Sequence, residues 1–221
     1  MENMIIWTSA KVENFSHNSE KFPTVKVAVI GDALVGKTSI TQKGSSDTFE
    51  DITERTIGVE YYRFYVKNRS SNVYLFEFCD TAGQERYSAM LPAYIRGVNM
   101  ILIVYDVTNR VSFEHVEKWV TMAREHNEKA KIILVANKID LLTIAESKGK
   151  SVIHYHEGHE KHLTLKMDGF KDVSARGDNF KDLMLFIGDL ADGLSFEKKK
   201  MGLNLNPPLT DTYVEENQCS C

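Results

Sequence analysis

The chain has 221 residues, 43% hydrophobic and 26% charged, with 27 Lys+Arg against 31 Asp+Glu and a formal net charge of −4 at pH 7. This is the make-up of a soluble globular protein and excludes wholesale disorder or a fibrous repeat. The near balance of charge supplies no basic face for a phosphate backbone, so no nucleic-acid partner is expected, and the longest apolar run, residues 100–105, is far below the roughly 18 residues of a membrane span.

At the N-terminus, Met4-Ile5-Ile6-Trp7 is too short for a secretory core and follows no basic segment, so cytosolic synthesis is expected. Short β-branched or apolar runs follow at 25–30, 59–66, 73–79, 100–105, 131–136 and 170–173. Between them, Val111, Phe113, Val116, Trp119 and Val120 recur at roughly helical spacing within 111–128, as do Phe180, Leu183, Met184, Ile187 and Leu190 within 180–194. This alternation predicts an α/β domain: a six-stranded, mostly parallel sheet with helices on both faces. The runs 59–66 and 73–79, joined by a short polar turn at 68–72, read as a hairpin, which makes one strand antiparallel. The domain is expected over 24–194, with a flexible N-terminal extension at 1–23 and a flexible tail at 195–221 that contains Pro207-Pro208. Three cysteines cannot form a disulfide framework, and an odd count favours a reducing compartment.

Directly after the first strand, Gly31-Asp32-Ala33-Leu34-Val35-Gly36-Lys37-Thr38 fits GxxxxGK[ST] and leads into a helix through Ser39. Strand before and helix after are the context in which this spacing holds a phosphate, because loop N–H groups and the helix dipole converge on an anion. Gly31 and Gly36 permit backbone conformations and close approach that a side chain blocks. Lys37 is placed to bridge the β- and γ-phosphates and Thr38 to coordinate Mg²⁺. The plain alternative is a lysine in an ordinary strand-to-helix turn.

Asp80-Thr81-Ala82-Gly83-Gln84 closes the third run. Asp80 suits an Mg²⁺ site, the Gly83 N–H a γ-phosphate, and Gln84 an attacking water. Thr56, in the polar segment before the second run, can add a hydroxyl to Mg²⁺. Asn137-Lys138-Ile139-Asp140 lies at the carboxyl end of a strand, where α/β folds bind ligands. Asp140 can accept both N–H groups of the guanine edge, a pairing adenine cannot supply, and such sites discriminate by about 10⁴–10⁵. Taken alone, this segment also fits a polar loop with an Asp helix cap.

In these residues the sequence resembles the small GTPases of the Ras superfamily, and within them the Rab family. The resemblance covers about 24–194 and the last three residues. It is carried by the phosphate loop, Thr56, the segment from Asp80 to Gln84, the segment from Asn137 to Asp140, and Ser174-Ala175-Arg176. Rab-like character rests on Ile57-Gly58-Val59-Glu60-Tyr61, Glu85-Arg86-Tyr87, Tyr94-Ile95-Arg96-Gly97 and Ile103-Val104-Tyr105-Asp106-Val107-Thr108. It implies the P-loop NTPase fold, nucleotide contacts from Gly31 through Ser39 and from Ser174, Ala175 and Arg176, and slow hydrolysis of GTP with Gln84 and Lys37 as the catalytic groups. It also implies partners: an exchange factor, an activating protein, a GDP-dissociation inhibitor, a prenyltransferase with its escort protein, and effectors. The molecule is then expected to be a monomeric switch in vesicle traffic.

The chain ends Cys219-Ser220-Cys221, residue 2 is Glu, and no CaaX ending is present. By the resemblance, Cys219 and Cys221 each take a geranylgeranyl group. The tail from Ser195 carries a net charge of −1, so electrostatics cannot provide the second signal that stable attachment needs, whereas two prenyl chains can. The expected location is the cytoplasmic face of an intracellular membrane, in exchange with cytosol.

Four features stand out, the first two of them departures from the family pattern. Leu34 is bulky where the family has a small residue, and Cys79 replaces a tryptophan of the family's effector-facing aromatic triad, of which Tyr61 and Tyr94 remain. Arg55 has the position of an arginine finger in cis, but a solvated switch arginine is the favoured reading. His154, His156, His159 and His162 look like a metal cluster but fit an ordinary surface helix. Two other function classes are a P-loop enzyme such as a nucleotide kinase, for which no arginine-rich lid segment is visible, and a guanine-nucleotide-binding scaffold without turnover.

Overall fold

The computed structural model describes residues 6–7, 22–46, 59–81, 91–177 and 179–196. Its strands are β1 (Ile6–Trp7), β2 (Thr24–Ile30), β3 (Val59–Lys67), β4 (Val73–Thr81), β5 (Met100–Asp106), β6 (Lys131–Asn137) and β7 (Gly169–Asp172). Its helices are α1 (Lys37–Ser46), α2 (Leu91–Ile95), α3 (Arg110–Glu114), α4 (Val116–His126), α5 (Leu142–Ser147), α6 (Tyr155–Thr164) and α7 (Phe180–Ala191).

One sheet runs in the order β1-β3-β4-β2-β5-β6-β7. The six expected strands are all in it, and β3 is antiparallel to both of its neighbours, β4 and β1. The remaining pairings are parallel, so β3 alone runs against the others. The difference from expectation is the seventh strand. Ile6–Trp7, in the stretch expected to be flexible, pairs with Val66 and Tyr65 at the edge of β3, and two residues are too few to carry a periodicity that a sequence window can detect.

Strand residues alternate between two apolar layers because successive side chains point to opposite faces. Val25, Val27, Val29, Leu102, Val104, Ile133 and Val135 meet Ile40 of α1 and Phe180, Leu183, Met184 and Ile187 of α7. Ala28, Ile30, Ile101, Ile103, Ile132 and Leu134 meet Val116, Trp119, Val120 and Ala123 of α4. Every residue of β5 is buried, as a central parallel strand covered on both faces must be. Helices therefore flank both faces, as expected.

The stretch 111–128 is not one helix. It divides at His115 into α3 and α4, with Asn109 capping α3 through bonds from the Val111 and Ser112 N–H groups. The histidine-rich stretch forms α6 and its N-terminal boundary: His154 stacks on His156, His162 stacks on Phe170, and His159 meets His162 edge-on. Among the described residues, no three His, Cys, Asp or Glu side chains group as a metal site, and no helix is long and apolar enough to cross a membrane.

The chain leaves β2 for β3 and β4 on one side and returns to β5 on the other. This reversal places the carboxyl end of β2 at the point where open α/β sheets bind ligands.

Candidate functional site: a phosphate loop joined to a base-side cavity

The turn from β2 into α1 is built on two glycines with positive φ. Gly31 has φ +143°, and a Cβ there would overlap the carbonyl oxygen of Val104 on β5. Gly36 has φ +95°, and a Cβ there would overlap the Asn137 side-chain amide. Both positions thus exclude a side chain by space as well as by backbone conformation. Leu34 also lies in the left-handed region, with φ +66°, and its side chain is 66% exposed.

Lys37 opens α1 and is buried. Its ammonium donates to the carbonyls of Gly31 at 3.1 Å and Asp32 at 2.7 Å, closing the loop from inside. Burial pushes the ammonium pKa down to about 8, and the Asp80 and then the Asp32 carboxylates oppose that shift. The group is therefore charged at neutral pH yet stripped of solvent, the condition under which a cation attracts a phosphate most strongly. No acidic residue lies in the first turn of α1, which leaves the positive end of the helix dipole to an anion.

Beside it, the Thr38 hydroxyl donates to Oδ2 of Asp80 at 2.6 Å. Asp80 is fully buried and lies within β4, which continues to Thr81 rather than ending at Cys79. A hydroxyl and a carboxylate are hard oxygen donors, the chemistry that suits Mg²⁺. Neighbouring Cys79 is buried, and chiefly that burial pushes its thiol up to about 11, so it is held as a thiol.

The base-side segment is bonded to the phosphate loop across about a hundred residues of sequence. The Asn137 amide donates to the Val35 carbonyl at 2.9 Å, and its oxygen accepts from the Ala175 N–H at 3.3 Å. Lys138, itself left-handed with φ +67°, donates to the Leu34 carbonyl at 2.7 Å and pairs with Asp106 at 2.7 Å. Asp106 is held in turn by the N–H and hydroxyl of Thr108. A short helical turn at Ile139–Leu141 carries Asp140. The Ser174 N–H donates to Asn179 and its hydroxyl accepts from the Arg176 N–H, which shapes the third loop.

These parts enclose a cavity of about 160 Å³ lined by Gly36, Ser39, Asn137, Lys138, Asp140, Leu141, Ser174, Ala175 and Arg176. The structure thus brings together residues from three separated motifs. Leu141 was not anticipated as a lining residue, nor Asp106 as the partner of Lys138; Asp106 at a strand end beside Thr108 was the available signal. Asp32 was expected at the nucleotide, but only its backbone faces Lys37; its carboxylate turns outward to α4, accepting from Trp119 Nε1 at 2.8 Å and meeting His115 Nδ1 at 2.7 Å. Ala33 is exposed. Thr56, Gly83, Gln84, Arg55, Cys219 and Cys221 lie outside the described residues.

A profile of the Ras family matches residues 26–187. The Ras-related protein RABA3 of Arabidopsis thaliana is 40% identical over 151 residues, covering 68% of this chain and 61% of that protein. The chain thus spans about three fifths of the length of that relative.

Proposed function

The chain belongs to the Ras family, and from that premise we propose that it is a Rab-like GTPase switch that binds GTP and GDP with Mg²⁺, hydrolyses GTP slowly and acts at a membrane. The observation that carries this reading is the bonding of Asn137 and Lys138 to the carbonyls of Val35 and Leu34. One rigid unit then presents a phosphate loop and a base-side cavity containing Asp140, the layout of a nucleotide rather than of a lone phosphate.

In this reading Asp140 accepts the two N–H groups of guanine, Lys37 and the loop N–H groups hold the β- and γ-phosphates, and Thr38, Asp80 and Thr56 hold Mg²⁺. The ion, when bound, offsets phosphate charge. Gln84 orients water, and Gly83 contacts the γ-phosphate. Hydrolysis releases the segments around Thr56 and Gln84, which supplies the switch. In this reading Arg55 is a solvated switch arginine rather than a finger, so unaided turnover is slow and an activating protein supplies the arginine. An exchange factor, a GDP-dissociation inhibitor and effectors complete the cycle. A prenyltransferase and its escort protein attach lipid to Cys219 and Cys221, and two chains suffice for stable membrane attachment.

Purified protein tests this directly. Gln84→Leu should lower single-turnover GTP hydrolysis by roughly ten-fold or more with GTP affinity kept, and equal hydrolysis removes Gln84 from the reaction. Asp140→Asn should shift preference from GTP to xanthosine triphosphate; unchanged preference refutes the base assignment, and competition by ATP in the wild type would favour another class of P-loop enzyme.

A further inference from the structure

On the face of the phosphate loop opposite Lys37, both oxygens of the Asp32 carboxylate are engaged by α4 and its first boundary. Trp119 Nε1 donates to Oδ1 at 2.8 Å, and His115 Nδ1 lies 2.7 Å from Oδ2. A carboxylate can only accept, so Nδ1 carries the proton in this contact. The two donors are four residues apart and therefore share one side of the helix. Trp119 is 8% exposed and packs in the core beneath β2 and β5, so its indole N–H is a fixed point. The imidazole of His115 is about half exposed.

An anionic side chain in a loop that cradles phosphates is an electrostatic conflict, since like charges at short range repel. The fold resolves it by turning the carboxylate away and binding it with two N–H donors. The same peptide unit offers its carbonyl to Lys37 at 2.7 Å, so fixing the side chain outward also fixes that carbonyl inward. We propose that Trp119 and His115 are positioning residues for the phosphate loop: through Asp32 they hold the first turn in the phosphate-binding form, and they slow nucleotide release. This rests on the guanine-nucleotide reading above.

The test measures dissociation of a fluorescent GDP from the full chain. Trp119→Phe keeps an aromatic ring in the core and removes the donor, and it should speed release by roughly ten-fold, the worth of a hydrogen bond to a charged group. His115→Ala, at a half-exposed site that does not threaten folding, should speed it about three-fold. In an Asp32→Ala background each change should add less than two-fold, and the ratio of GDP to IDP affinity should stay at its wild-type value, since Asp140 reads the base. Release within two-fold of wild type in both single variants, or equal acceleration with and without Asp32, overturns the proposal. A wild type that binds no guanine nucleotide instead overturns the underlying functional reading and this inference with it.

Discussion

At the residue scale, the phosphate loop contains a leucine where its backbone would favour glycine. Leu34 has φ +66°, a conformation that costs a residue with a Cβ roughly 1–2 kcal/mol, and its exposed side chain recovers little by burial. What holds it there is the bond from Lys138 to its carbonyl. Leu34→Gly removes the strain, while the freer unfolded chain takes back about 0.5–1 kcal/mol. The expected net gain is about 0.5–1 kcal/mol, or a rise in Tm of about 1–4 °C by scanning calorimetry; a lower Tm would mean that Leu34 makes a stabilising contact. Gly31 and Gly36 were legible from spacing alone, because the need for glycine arises within the loop. The outward turn of Asp32 was not, because its partners lie on a helix more than 80 residues away.

At the element scale, α7 is fastened to the β3–β4 hairpin by polar bonds that no periodicity announces. Asn68 is buried; its amide donates to the Gly188 carbonyl at 3.1 Å and its oxygen accepts from the Asn72 N–H at 2.9 Å. Nearby, Arg69 pairs with Asp189 at the surface, and Tyr74 and Asn72 donate to Asp192. Asn68→Ala removes both bonds of a buried group and should cost about 2 kcal/mol. Arg69→Ala breaks an exposed ion pair and should cost under about 1 kcal/mol. Urea unfolding of the two variants checks the order, and a larger loss at Arg69 would reverse this assignment. The apolar spacing of 180–194 did reveal α7, since five of its positions point into one core. The break at His115 and the short helices α2 and α5 escaped detection because one or two turns carry too few apolar positions to set a period.

At the scale of the whole molecule, the two apolar layers share one sheet, so neither can come apart without exposing the other side of β2, β5 and β6. Unfolding should therefore be a single transition. In a Trp7→Phe background, fluorescence of Trp119 reports the α4 layer and far-UV circular dichroism reports all helices. The two denaturation curves should coincide in midpoint, and separate midpoints would mean that the layers unfold independently.

The sequence alone determined the α/β class, the six main strands, the hairpin and the three motifs, because each depends on neighbours in the chain: alternation of side chains, glycine spacing, a strand before a loop. Only the tertiary structure decided that the Asn137–Lys138 segment is bonded to the carbonyls of Val35 and Leu34, that Thr38 meets Asp80, that Asp32 faces α4, and that Ile6–Trp7 joins the edge of β3. Those contacts join residues from about 40 to more than 100 positions apart. They are set by how the helices and strands pack on one sheet, which no local pattern records.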